Sequence, residues 1–136
     1  MRFIAINYSK ISIEKKSNDL KNLKIATGLD IKSIEAAKPG VFQSEESFLN
    51  VSFKYYIDYK EEIAKIEMEG NMLWATDSKG AKEILKAWEN KKLDDNLKIK
   101  LLNVILIKAN IKAIQLEEEM NLPIHFRMPT INSEKK

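Results

Sequence analysis

Few of the 136 residues are of kinds that carry covalent chemistry. The chain has no cysteine and a single histidine, His125. That excludes a disulfide framework, thiolate zinc or iron–sulfur ligation and a thiol nucleophile, along with any multi-histidine metal site. The acids come as adjacent pairs, Glu45-Glu46, Glu61-Glu62 and Asp94-Asp95. Neighbours on a strand or helix point apart, so these read as turn and cap residues rather than as acid–base couples. Glu117-Glu118-Glu119 covers three helix directions and reads as a solvated helix end. The glycines Gly28, Gly40, Gly70 and Gly80 are dispersed and build no phosphate loop. His125, set between Ile124 and Phe126 behind Pro123, has the chemistry of a ligand or a base, but an imidazole there more commonly just accepts and donates hydrogen bonds. Trp74 and Trp88 sit in register with apolar neighbours and read as core. The sequence therefore predicts no catalytic residue, no cofactor and no metal site.

The charged residues are a second candidate surface. Of 23 basic residues only Arg2 and Arg127 are arginine, and the net charge is +3. Specific nucleic-acid readers favour the planar arginine fork, whereas lysines mixed with glutamates read as a solubilising surface. Lys10, Lys15, Lys16, Lys21 and Lys24 cluster near the N-terminus, and Tyr55 and Tyr56 offer stacking faces. A non-enzymatic RNA-binding or assembly module is accordingly the alternative reading. No apolar run reaches the ~18 residues of a membrane span. The apolar start is too short for a secretory signal, so the expected location is the cytoplasm.

The elements that must position these residues fall into two halves. Length fits one domain, residues 1–132, with 133–136 as a frayed tail. Residues 3–14 read as a first strand in which Ile4, Ile6 and Tyr8 share one parity while Ile11 and Ile13 take the other. That slip predicts a bulge near Ser9 and Lys10. A second strand is expected over residues 23–37. The third is the clearest, with Leu49, Val51, Phe53, Tyr55, Ile57 and Tyr59 at period two. A fourth carries Ala64, Ile66, Met68, Gly70, Met72 and Trp74 on one face, with a bulge or bend suggested at Gly70-Asn71. From Asp77 the period becomes helical. A short helix ends near Asn90, and a long one capped at Asp94-Asp95 runs to about Asn121, where Pro123 forbids continuation.

The long helix is apolar on two sides. Ile99, Leu102, Leu106, Ala109, Ala113, Leu116 and Met120 share one face; Leu97, Leu101, Val104, Ile107, Ile111 and Ile114 lie nearly opposite. One face suffices to cover a sheet, so two predict an oligomer, with Val104, Ile107, Ile111 and Ile114 from one face and Leu106 and Ala109 from the other as interface residues. The alternative is cover by the short helix and the C-terminal segment of the same chain. That segment, residues 122–132, alternates around two prolines and offers Phe126, Met128 and Ile131 on non-helical backbone. It either caps the core edge or presents an adaptable apolar surface.

Three stretches resemble the SecB export-chaperone family. Leu122-Pro123, Pro129 and Ile131-Asn132 are similar to the loop after that family's long helix. Tyr8-Ser9-Lys10-Ile11-Ser12-Ile13-Glu14 resembles its first-strand motif, and Glu67-Met68-Glu69-Gly70-Asn71-Met72-Leu73 its fourth-strand ending. The resemblance implies an α+β fold: a four-stranded antiparallel sheet with a short helix and one long helix packed on one face. It also implies a homotetramer, assembled as a dimer of dimers, that holds unfolded or pre-export polypeptides in apolar grooves without ATP. The client groove would draw on Leu20, Leu23, Ile25, Leu29, Ile124, Phe126 and Met128. The family's final lid helix has no counterpart after Asn132, and Lys10 stands where the family has an acid that meets the SecA motor. With a pI near 8.9, these departures imply a holdase that works without SecA, in export, in a toxin–antitoxin system or in general proteostasis.

Overall fold

The computed structural model describes residues 1–21, 23–37, 46–60, 63–126 and 131. Four strands form one antiparallel sheet: β1 (Arg2–Lys15), β2 (Ala26–Ala37), β3 (Ser47–Asp58) and β4 (Ala64–Thr76), in the order β1-β4-β3-β2. Two helices follow, α1 (Ser78–Glu89) and α2 (Asp95–Glu119). The fold is α+β.

Alternation decides which face of the sheet is covered. The odd residues of β3 from Leu49 to Ile57, with Tyr59 just beyond its end, are buried. So are the even residues of β4 from Ala64 to Trp74. Their opposite parity, Asn50, Lys54 and Tyr56 on β3 and Glu67, Glu69 and Asn71 on β4, faces away and is only half-buried. There Asn71 donates to Asn50, and Lys10 and Lys65 reach Glu67 at 3.3 and 2.9 Å.

The parity slip of β1 is realised as a register shift between Tyr8 and Lys10, leaving Ser9 as the extra residue. The irregularity expected at Gly70-Asn71 lies on β1 instead, since the β3–β4 register runs unbroken through both. Gly70 is the bulge's counterpart: a Cβ there would collide with the Asn7 carbonyl. Its bare position also lets Tyr8 and Phe53, from the flanking strands, meet edge to face at 6.0 Å. Residues 23–25 fall outside β2, because pairing with β3 begins at Ala26–Asp58, where β3 turns away.

α2 corrects the expected two-face division. Its buried residues are Leu101, Ile105, Ala109, Ala113 and Glu117, a row spaced by four. Such a ridge is inclined by about 26° to the helix axis, so it winds across both of the expected faces. Ala109 is fully buried in the chain's own core and is not offered to a partner. Ile99, Leu106, Ile107 and Ile111 remain exposed, and Val104 and Ile114 are half-buried. Among the described residues, no helix is long and apolar enough to cross a membrane.

Candidate functional site

The site is organised by the end of α2. Asn121 takes a left-handed conformation, φ 54°. Leu122 N–H donates to the Glu117 carbonyl at 2.8 Å and Asn121 N–H to that of Glu118 at 3.2 Å. This is the Schellman closure, and it satisfies carbonyls a helix end leaves open. The Lys15 ammonium adds a donor to the Met120 carbonyl at 3.0 Å, a favourable sign of charge at this terminus. The chain then turns back across the sheet, with Leu122 only 6% exposed.

Beneath the returning segment lies a polar cluster inside the core. His125 Nδ1 stands 2.9 Å from Glu117 Oε1, with side-chain exposures of 4% and 0%. Tyr59 Oη contacts Glu117 Oε2 and lies 2.7 Å from the Pro123 carbonyl oxygen. On the other side of the ring, His125 Nε2 is 2.9 Å from Asn110 Oδ1 and 3.1 Å from Tyr55 Oη, and Tyr55 donates to Asn110 at 2.7 Å. Burial, and then the carboxyl of Glu117, push the Tyr55 and Tyr59 phenols well above their ordinary range, so both remain O–H donors. The expectation of a solvated end at residues 117–119 is therefore wrong for Glu117: the ridge that buries Ala109 and Ala113 carries it inward. The sequence marked His125 but not its partners. The available signal was an acid four residues beyond Ala113 on a row spaced by four.

The expected client residues divide around this cluster. Leu20, Leu23, Ile25 and Leu29 are half-buried against the core from the β1–β2 connection and β2. Ile124 and Phe126 are 37% and 40% exposed, and Met128 lies outside the described residues. Tyr55 joins the two sets. It pairs with Leu29 across the β2–β3 ladder, and its ring meets that of His125 edge to face at 6.4 Å. The Phe126 ring in turn stands on His125 at 5.0 Å.

Two of the five clustered lysines and one of the two tyrosines have partners within the chain. Lys10 is engaged with Glu67 and Lys15 with the end of α2, while Tyr55 is buried. Tyr56 lies over Gly28, whose missing side chain makes room for the ring. A separate cleft of about 600 Å³ opens between the end of α1 and the start of α2, lined by Trp88, Glu89, Lys91, Leu93, Asp95 and Lys98. Its charges are mixed. Trp88, expected as core, is half-buried there. Among the described residues, no group of three or more His, Asp or Glu side chains is placed to hold a metal ion.

No model of a known protein family matches the sequence, and no curated protein does. The fold is similar to that of a solved structure, the Mycobacterium tuberculosis Rv1957 SecB-like chaperone in complex with a ChAD peptide from the Rv1956 HigA1 antitoxin. The TM-score is 0.52 at 8% sequence identity, covering 96% of this chain and 91% of that one. At this identity the likeness is one of fold, and it places the present chain beside a SecB-like chaperone at that level.

Proposed function

We propose that this protein is a holdase, a non-enzymatic chaperone that keeps non-native polypeptides soluble on an apolar surface without ATP. The observation that carries the reading is the fold it shares, over 96% of its length, with a SecB-like chaperone solved with a peptide bound. Exposed apolar side chains support it. Single exposed leucines are ordinary on any protein, but grouped ones mark interaction surfaces. Two groups stand out here, one on the segment after α2 and one along α2 itself.

The client site proposed is Leu20, Leu23, Ile25 and Leu29 on one side, with Ile124, Phe126 and Met128 on the other. Val104, Leu106, Ile107, Ile111 and Ile114 are proposed to bury against further copies of the chain in a dimer of dimers, without Ala109. The protein would act in the cytoplasm and independently of SecA. A catalytic role for His125 is the weaker reading, because both ring nitrogens are already engaged, one by Glu117 and the other by Asn110 and Tyr55, and the side chain is only 4% exposed.

An aggregation assay tests this. The protein, without nucleotide, should slow light scattering by a chemically unfolded client at near-stoichiometric concentration. Ile124→Ala/Phe126→Ala should weaken client affinity by about tenfold or more, since each large apolar side chain contributes about 1.5–3 kcal/mol when fully buried. Ile107→Lys/Ile111→Lys should reduce particle mass. Wild-type protein that leaves aggregation untouched would sink the proposal.

A further inference from the structure

The geometry points to Glu117 and His125 as a latch that fastens residues 122–126 onto the sheet and thereby fixes where Ile124 and Phe126 stand. The argument begins with an anomaly. Position 117 continues the buried row of Leu101, Ile105, Ala109 and Ala113, whose other members are all apolar. A carboxyl is among the costliest groups to bury, and it is tolerated only with its partners in place. Here both oxygens are engaged, Oε1 by His125 and Oε2 by Tyr59.

The partners come from three elements, which makes the cluster a fastening rather than a local cap. β3 supplies Tyr55, with Tyr59 just past its end; α2 supplies Asn110 and Glu117; the returning segment supplies the His125 ring and the Pro123 carbonyl. Tyr59 touches both the helix carboxyl and the segment's backbone, so a single phenol ties the two together. The closure of α2 ends the helix but leaves the direction of the following backbone open. Apolar contact at Leu122 holds the segment near the sheet without setting its rotation, whereas hydrogen bonds are directional. With His125 turned inward at 4% side-chain exposure, its neighbours Ile124 and Phe126 are left at 37% and 40%. The pair thus acts on the proposed client site through other residues. Glu117 and His125 are positioning residues, and the gain is preorganisation: the apolar side chains are ordered before a client arrives. That consequence rests on the holdase reading; the fastening itself does not.

Backbone NMR relaxation on the full-length protein tests the latch, alongside thermal unfolding and titration with a fluorescent unfolded client. Replacing both members by apolar residues, Glu117→Leu/His125→Leu, should leave the order parameters of β3 and β4 nearly unchanged. Those of residues 124–126 should fall from about 0.85 to about 0.6 or below. The single variant His125→Leu, which strands the carboxyl, should melt below the double variant. Tyr59→Phe removes only the phenol oxygen and gives the same relaxation readout where the double variant fails to fold. Unchanged order at residues 124–126 overturns the latch, as does a single variant as stable as the double. If order falls and client affinity falls with it, the latch and the client site both stand. If order falls while affinity holds, the latch stands and the placement of the client on this segment fails.

Discussion

Both helices end on the same backbone motif, yet the chain that follows each has a different fate. At α1, Lys92 N–H reaches the Ala87 carbonyl at 2.8 Å and Lys91 N–H that of Trp88 at 3.1 Å, with Lys91 left-handed at φ 57°. At α2 the same pair of bonds runs from Leu122 and Asn121, with Asn121 at φ 54°. After α1 the next side chain, Lys92, is exposed, and the chain skirts an open cleft to the Asp94 cap of α2. After α2 it is Leu122, buried, followed by the tied His125. A closure motif stops a helix; the side chains beyond it decide whether the continuation is held.

Substitutions at the two ends should differ accordingly. Glu117→Ala should cost about 3–5 kcal/mol, since it empties a fully buried site and takes a hydrogen-bond partner from both His125 and Tyr59. Urea unfolding measures this, and a loss below about 1 kcal/mol would mean that the two helix ends are energetically alike. Leu122→Ala comes next at about 2 kcal/mol or more, from lost burial and the cavity left behind. Lys91→Gly should instead raise stability by about 1 kcal/mol, because a side chain at positive φ is strained and glycine is not. The same change at Asn121 should gain less, as asparagine tolerates that conformation. The smallest effect belongs to a charge on the uncovered sheet face. Hydrogen bonds from Lys65 and then Lys10 hold the Glu67 carboxyl below its ordinary range. A depressed carboxyl stabilises the fold above its unfolded value and loses that contribution as pH falls through the folded one. Glu67→Gln should therefore flatten, slightly, the decline in melting temperature on acidification. An unchanged acid slope would show the solvated pair to be energetically silent.

Much of the frame was legible because it depends on local pattern. Period two over β3, the parity slip at Ser9, the helix starts at Asp77 and Asp94 and the stop at Asn121 are statements about neighbours in sequence. The phase of α2 was not, since its apolar residues occupy more than half the circumference and periodicity alone cannot choose the side that meets the sheet. The late start of β2 reflects its partner: residues 23–25 are apolar, but β3 has already turned into the hairpin with β4. Glu117 was the least legible. Its polarity argues for solvent, and its burial is decided by Tyr59, 58 residues earlier in the chain, and by His125, eight residues later. For the proposed client site, sequence indicated the apolar residues. Their junction at Tyr55 required the β2–β3 register.

The order β1-β4-β3-β2 has a consequence in time. β2, β3 and β4 can zip as successive hairpins, each strand meeting the one just before it. β1 cannot. Its ladder joins Arg2 to Ala75 and Lys15 to Ala64, so the first strand made has no partner until the last has been completed. Closing that span carries the loop entropy of a long connection, which slows folding in proportion to how non-local the pairing is. During synthesis at about 5–20 residues per second, the apolar face of β1 stays open for several seconds before β4 emerges. Tyr8, whose ring later meets Phe53 over bare Gly70, belongs to the part of the core that must wait.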